Sequence, residues 1–301
     1  MDAWEEGQRR FRELYDAGRY GEARAVLEGL WETVPGRRDF MWLGMLACHV
    51  AMDDLPGAAA TLRRALDQGY LWRVSLLEDP AVAPVLADSA CRRVIDEARR
   101  RVAARHLRAQ VLTGPAPGAG VHPLLLVLHG ATGNAAETLP HWTPACALGY
   151  WVAAGQASQP ASAEGFCWDP PRERVRQDLD AIAAALPAPG RVVMAGFSQG
   201  AWVALNAALR GTPLPAAGVV MVGAFVPRPL QLEPAARRLR VAVLCGAEDP
   251  FAERMDGLKT LLVEHGHHVA LEIVPGVGHA YPDDFSARLP RLLRAASRTQ
   301  N

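Results

Sequence analysis

The chain has 301 residues, with 32 Lys plus Arg balanced by 32 Asp plus Glu, and half of its residues are hydrophobic. This composition argues against disorder and leaves no electrostatic footprint for nucleic acid. The length allows a large core and an expected two domains. Lys259 is the only lysine, a bias that reads as genome composition rather than function. A nil net charge also leaves little colloidal repulsion against self-association.

The five cysteines (Cys48, Cys91, Cys146, Cys167 and Cys245) are odd in number, scattered and without CxxC spacing. That argues against a disulfide framework or a thiolate zinc site. The acidic start, Met1-Asp2-Ala3-Trp4-Glu5-Glu6, lacks the apolar core of a secretory signal, and no apolar run reaches membrane-spanning length. The expectation is a reduced, cytoplasmic, soluble protein with no membrane span.

Residues 1–106 read as an all-α domain. Apolar residues recur at helical spacing: Phe11, Leu14, Tyr15; Val26, Leu27, Leu30; Leu62, Ala65, Leu66. Turns are expected at Gly18-Arg19-Tyr20, Pro35-Gly36, Asp53 to Gly57 and Gly69. A weak repeat of period 35 brings Tyr20 onto Leu55, Ala23 onto Ala58, Leu27 onto Leu62 and Leu30 onto Ala65. The period and the Gly18, Tyr20, Ala23 pattern resemble tetratricopeptide-type helical hairpins. A further helix, Cys91 to Arg108, would cap the stack. Two readings of this half stand side by side: a surface for a homodimer or a protein partner, and a helical cap that only packs on its neighbour.

Thr113 to Gly120 is rich in Gly, Pro and Ala. It reads as a linker or, preferably, as a hairpin loop after an opening strand at Leu107–Leu112. Residues 107–301 then alternate strands with helices. The expected strands are Leu124–Leu128, Tyr150–Ala154, Arg191–Ala195, Gly218–Val222, Val241–Cys245 and Val269–Val274. Most are continuous apolar runs, as a parallel sheet covered on both faces requires. The expected helices are Glu173–Leu186, Gln199–Arg210, Leu232–Leu239, Glu253–His265 and one from Phe285. This pattern is an α/β fold with a doubly wound, mostly parallel sheet, whose sites lie at strand carboxyl ends.

Gly196-Phe197-Ser198-Gln199-Gly200 falls between a strand and a helix. Gly-x-Ser-x-Gly in that context is a nucleophile elbow. A Cβ at Gly196 or Gly200 would collide with the strand or helix, and the turn sets Ser198 at a helix N-terminus that favours developing negative charge. A serine needs an adjacent base. Of the nine histidines, only His279 follows a late strand's carboxyl end, in the glycine-rich run Pro275-Gly276-Val277-Gly278-His279-Ala280. The acid should lie between the two in sequence, after a strand. Asp249 is the first candidate, with the adjacent Glu248 still open; Asp283 and Asp284 read as a helix N-cap. The oxyanion donors are expected at the Gln199 N–H and at Ala131, with Gly130 as the neighbouring alternative. His129 reads as structural rather than as a second base. His265, His267 and His268 read as a solvated turn rather than a metal site. Phe166, Trp168 and Phe225, beside Gly130, are candidates for an apolar substrate slot.

Taken together, His129-Gly130, Gly196 to Gly200, Asp249 and Gly278-His279 resemble an α/β-hydrolase. Gly-Phe-Ser-Gln-Gly with the segment Gly276 to Pro282 is similar to the phospholipase/carboxylesterase and acyl-protein thioesterase group. The resemblance covers about residues 107–301. It implies Ser198 as nucleophile, Asp249 as acid, His279 as base, N–H donors at Ala131 and Gln199, a small-molecule or acylated substrate, and no cofactor or metal. The chain departs from that group in its helical first hundred residues and in Ala131-Thr132-Gly133-Asn134. A serine peptidase or acyltransferase shares the machinery. The alternative from another class is a helical-repeat interaction protein with a scaffold hydrolase domain.

Overall fold

The computed structural model describes residues 3–34, 38–71, 77–104, 107–115, 118, 120–161, 165–169, 172–187, 190–227, 229–232 and 234–297. The turn expected at Pro35-Gly36, and Ala116, Pro117 and Ala119 of the Gly/Pro/Ala-rich segment, lie outside these residues. The chain divides into two compact units. One comprises residues 1–106 with 160–164, the other residues 107–159 with 165–301.

The first unit is helical: α1 (Ala3–Asp16), α2 (Tyr20–Leu30), α3 (Arg38–Ala51), α4 (Leu55–Asp67) and α5 (Ser89–Ala104). The pair α3–α4 repeats α1–α2 at the period of 35 residues seen in the sequence. Two of its four repeated pairs are core positions at both members, while Tyr20, Leu55 and Leu30 are half-buried. Ala58, Leu27 and Leu62 are buried with Trp31, Met41 and Leu46, and Ala23 is buried against Leu14 and Cys48. Helix α4 starts on an N-cap, Asp54, whose carboxylate accepts the Gly57 N–H at 2.9 Å, with Pro56 in the first turn. Helix α5 begins before the expected Cys91 because Asp88 accepts the Cys91 N–H at 2.8 Å. It packs Val94, Ile95 and Ala98 into the same core. No helix among the described residues is long and apolar enough to cross a membrane.

The second unit is built on a seven-stranded sheet. Its strands are β1 (Gln110–Thr113), β2 (Leu124–Leu128), β3 (Trp151–Gln156), β6 (Val192–Phe197), β7 (Ala216–Val222), β8 (Arg240–Gly246) and β9 (His268–Val274), in the order β1-β3-β2-β6-β7-β8-β9. A two-residue pair, β4 (Gln159–Pro160) with β5 (Phe166–Cys167), lies apart from it. Strand β1 runs antiparallel to β3, and the remaining neighbours are parallel. This is the α/β-hydrolase fold. Strand β2 is buried along its whole length because both faces are covered. Leu124, Leu126 and Leu128 face the core containing Leu179 and Leu205, while Leu125 and Val127 face Trp142 and Leu289.

The flanking helices are α6 (Ala135–Trp142), α7 (Arg172–Ala184), α8 (Gln199–Arg210), α9 (Met255–Glu264) and α10 (Phe285–Ser297). Two differ from expectation. Helix α6 is not expected from the sequence, because Pro140 and Pro144 interrupt its pattern. It forms on an N-cap in which the Asn134 side-chain Oδ1 accepts the Glu137 N–H at 2.8 Å. Conversely, the helix expected at Leu232–Leu239 is absent from the described residues there. Pro234 interrupts the segment, and its N–H groups go to other elements. Ala236 N–H donates to the Leu209 carbonyl at 2.8 Å, and Leu239 N–H to His267 Nδ1 at 3.1 Å. His267 is therefore buried, which corrects its reading as part of a solvated turn; His265 and His268 remain exposed. Among the described residues no group of three His, Cys, Asp or Glu is placed to hold a metal ion.

Candidate active site

Strand order reverses between β2 and β6: the chain runs outward from β2 to β3 on one side and from β6 to β7 on the other. A crevice forms at the carboxyl ends of strands at such a switch. The loop after β2 carries His129 to Asn134, and the turn after β6 carries Ser198.

Ser198 sits at φ +51°, ψ −118°, a conformation that side-chain-bearing residues seldom adopt. The turn is held by its backbone. Ser198 N–H donates to the Val222 carbonyl at 2.9 Å, and the Ser198 carbonyl accepts from Ala201, Trp202 and Phe225 N–H. The two glycines of the motif have a steric cause. A Cβ on Gly196 would collide with the Gly200 backbone, and one on Gly200 with the carbonyls of Leu128 and His129. The elbow therefore packs directly against the start of the β2 loop.

The three residues singled out from distant parts of the sequence converge. His279 Nε2 lies 2.9 Å from Ser198 Oγ, and His279 Nδ1 lies 2.7 Å from Asp249 Oδ2. The Asp249 side chain is fully buried, and its other oxygen accepts the Phe251 N–H at 2.8 Å. Because the carboxylate only accepts, Nδ1 carries the ring proton and Nε2 is free to accept from the serine hydroxyl. Glu248, left open from the sequence, is exposed, so Asp249 is the carboxylate on His279. Asp283 and Asp284 are exposed as well, and Asp284 pairs with Arg288. The neighbouring Cys245 is no rival nucleophile, since burial and Asp249 push its thiol up to about 12.

An aromatic ladder supports the His279 loop. Phe197 lies 4.9 Å from the imidazole and stacks on Tyr281, which stacks in turn on His141. Trp142 Nε1–H donates to the Tyr281 hydroxyl at 3.1 Å, and burial raises that hydroxyl's pKa. Phe251 is also edge-on to the imidazole, at 5.4 Å, and Phe225 is edge-on to Phe251.

The loop after β2 is held by His129. Ala157 N–H donates to its Nε2 at 3.1 Å, so the ring proton resides on Nδ1 and is donated to the Gly130 carbonyl at 2.7 Å. Gly133 N–H donates to the same carbonyl. In a trans peptide the next N–H points the opposite way, so Ala131 N–H is turned away from His129. Neither Ala131 N–H nor Gln199 N–H donates to another protein group among the described residues. Gly130 is packed on Phe197 and Ser198. Phe225 and Phe166 are half-buried, whereas Trp168 is buried, with its ring on His129 and its indole N–H on the His129 carbonyl at 3.0 Å.

Burial lowers the His129 pKa to about 4, so the ring is neutral in the folded protein. The unfolded chain binds this proton more readily, at its ordinary pKa near 6.5. Stability contributed by neutral His129 is therefore complete above about pH 6.5 and is lost as pH falls toward about 4, by up to about 3 kcal/mol. The expected result is a thermal midpoint that falls across this window in the wild type and falls less steeply in His129→Gln. Parallel slopes would remove His129 as the cause.

Sequence reasoning missed Asp169, Phe251 and the side chain of Gln199. The only available signal for Asp169 was its place directly after Trp168, in the loop leaving the carboxyl end of β3.

The fold is that of the α/β-hydrolases, and Ser198, His279 and Asp249 lie in hydrogen-bonded sequence at the carboxyl ends of its strands. Residues 172–295, which hold Ser198, Asp249 and His279, match the phospholipase/carboxylesterase family. No curated protein matches the chain. Among solved structures, an uncharacterized protein from Bacillus cereus is similar over 96% of this chain and 97% of its own, at 19% identity and a TM-score of 0.50. A carboxylesterase from Bacillus cereus is similar over 64% of this chain and 96% of its own (19% identity, TM-score 0.49). One from Mesorhizobium loti is similar over 62% and 93% (21% identity, TM-score 0.48).

Proposed function

We propose that the protein hydrolyses carboxylic esters or thioesters through Ser198, His279 and Asp249, by way of an acyl-enzyme. The observation that carries this reading is the unbroken hydrogen-bond chain from Asp249 Oδ2 through His279 to Ser198 Oγ, at 2.7 and 2.9 Å. As Ser198 Oγ attacks the carbonyl carbon, its proton passes to His279 Nε2. Asp249 holds the ring in the required tautomer and stabilises the imidazolium. The oxyanion is received by the Ala131 and Gln199 N–H groups, which have no other protein acceptor among the described residues. The imidazolium then protonates the leaving alcohol or thiol as the carbonyl re-forms. A water that gives its proton to His279 attacks the acyl-enzyme, and the proton returns to Ser198 Oγ as the acid leaves. Phe225 and Phe251 offer the substrate an apolar, aromatic wall on the Asp249 side of the imidazole.

The test is a fluorophosphonate probe on the wild-type protein, followed by mapping of the modified peptide, alongside turnover of short- and long-chain acyl esters and thioesters. A single adduct on Ser198, blocked by prior incubation with a turned-over ester, is the expected result. A folded protein that takes no label and turns over none of these substrates would overturn the proposal.

A further inference from the structure

The two proposed oxyanion donors belong to different elements, Ala131 to the loop after β2 and Gln199 to the N-terminus of α8. Neither element by itself sets the distance between them. One short segment, Phe166 to Asp169, is bonded to both. On the elbow side it clamps the Gln199 side chain. Trp168 N–H donates to Gln199 Oε1 at 2.9 Å, and Gln199 Nε2 donates to Asp169 Oδ1 at 2.8 Å. On the loop side Phe166 N–H donates to the Gly133 carbonyl at 2.8 Å. The indole N–H of Trp168 donates to the His129 carbonyl, and the two rings lie 5.0 Å apart. His129 and Gly133 bracket Ala131, and both hold the Gly130 carbonyl whose peptide carries the Ala131 N–H. Trp168 and Asp169 are buried, where hydrogen bonds are strong and their geometry is enforced.

We infer that Phe166–Asp169 is a brace across the oxyanion hole, and that Trp168, Asp169 and the Gln199 side chain are positioning residues for the Ala131 and Gln199 N–H groups. The inference rests on the serine-hydrolase reading. A tetrahedral oxyanion is more sensitive to donor placement than the ground-state carbonyl is. Disturbing the brace therefore lowers kcat and leaves KM nearly unchanged.

The test uses the full chain and three variants. Trp168→Phe keeps a ring on His129 and removes only the indole donor. Gln199→Glu sets a second carboxylate against Asp169. Asp169→Asn combined with Gln199→Glu restores a hydrogen bond in the reverse direction, from the Asn amide to the Glu carboxylate, and returns the pair to a single negative charge. Each single variant is expected to lower kcat about 10- to 100-fold, part of the cost of losing one oxyanion donor outright. The affinity for a trifluoromethyl ketone, which forms a tetrahedral adduct on the serine, should fall by the same factor as kcat/KM. The double variant should recover most of the loss, and the losses in kcat should not follow the ranking of the thermal midpoints. The brace is refuted if the double variant stays as slow as Gln199→Glu, or if the losses appear in KM or thermal midpoint with ketone affinity unchanged. A wild-type protein that takes no fluorophosphonate label would instead overturn the serine-hydrolase reading itself.

Discussion

Ser198→Ala is expected to lower kcat by about a million-fold, the scale found when a triad nucleophile is removed. What remains is the modest rate that binding and the oxyanion donors sustain without a nucleophile. The elbow should survive the change. Alanine keeps the Cβ, so the φ of +51° is no more costly than before. The turn is held by the Ser198 N–H on Val222 and by three N–H groups on the Ser198 carbonyl, none of which involves the hydroxyl. Circular dichroism and the thermal midpoint should match the wild type, and the purified variant should bind a slowly turned-over ester without releasing acid. A kcat within tenfold of wild type would exclude Ser198 as nucleophile.

The second large effect is expected at Asp249. Asp249→Asn should lower kcat about 10⁴-fold with the fold intact. The reason lies in the two partners of the carboxylate. Phe251 N–H donates to Oδ1, so an asparagine would keep its carbonyl oxygen there and turn its amide toward His279. That amide donates, so Nδ1 would have to accept and the ring proton would move to Nε2. Nε2 could then no longer take the Ser198 proton. Substitution of the exposed Glu248 by Gln is the control and should leave kcat unchanged. The opposite ranking, with Glu248→Gln slow and Asp249→Asn fast, would reassign the acid.

The two expectations rest on residues that the sequence makes legible to different degrees. The elbow is a local device: its glycines, the strand before it and the helix after it lie in consecutive residues, so sterics within one turn make it readable. His279 was legible by elimination, because strand alternation assigns each histidine to one edge of the sheet. The choice between Asp249 and Glu248 was not legible. Neighbouring residues in a turn point in different directions, and only the folded β8 loop turns Asp249 onto the imidazole and leaves Glu248 exposed. Helix α6 was hidden by its prolines, and the segment 232–239 imitated a helix because periodicity does not reveal where a chain's N–H groups are spent.

By itself, then, the sequence determined the fold class, and it singled out a serine, a histidine and two loops that the fold brings together. These follow from periodicity, from turn sterics and from the rule that sites gather at strand carboxyl ends. Tertiary structure decided which carboxylate meets the imidazole, that His129 is a neutral strut for the Gly130 carbonyl, and that Trp168 and Asp169 tie the Gln199 side chain to that strut. Such links join residues about 30 to 40 positions apart through single hydrogen bonds. A hydrogen bond of that kind leaves no period and no motif in the chain, because its partners are brought together only when the sheet is assembled.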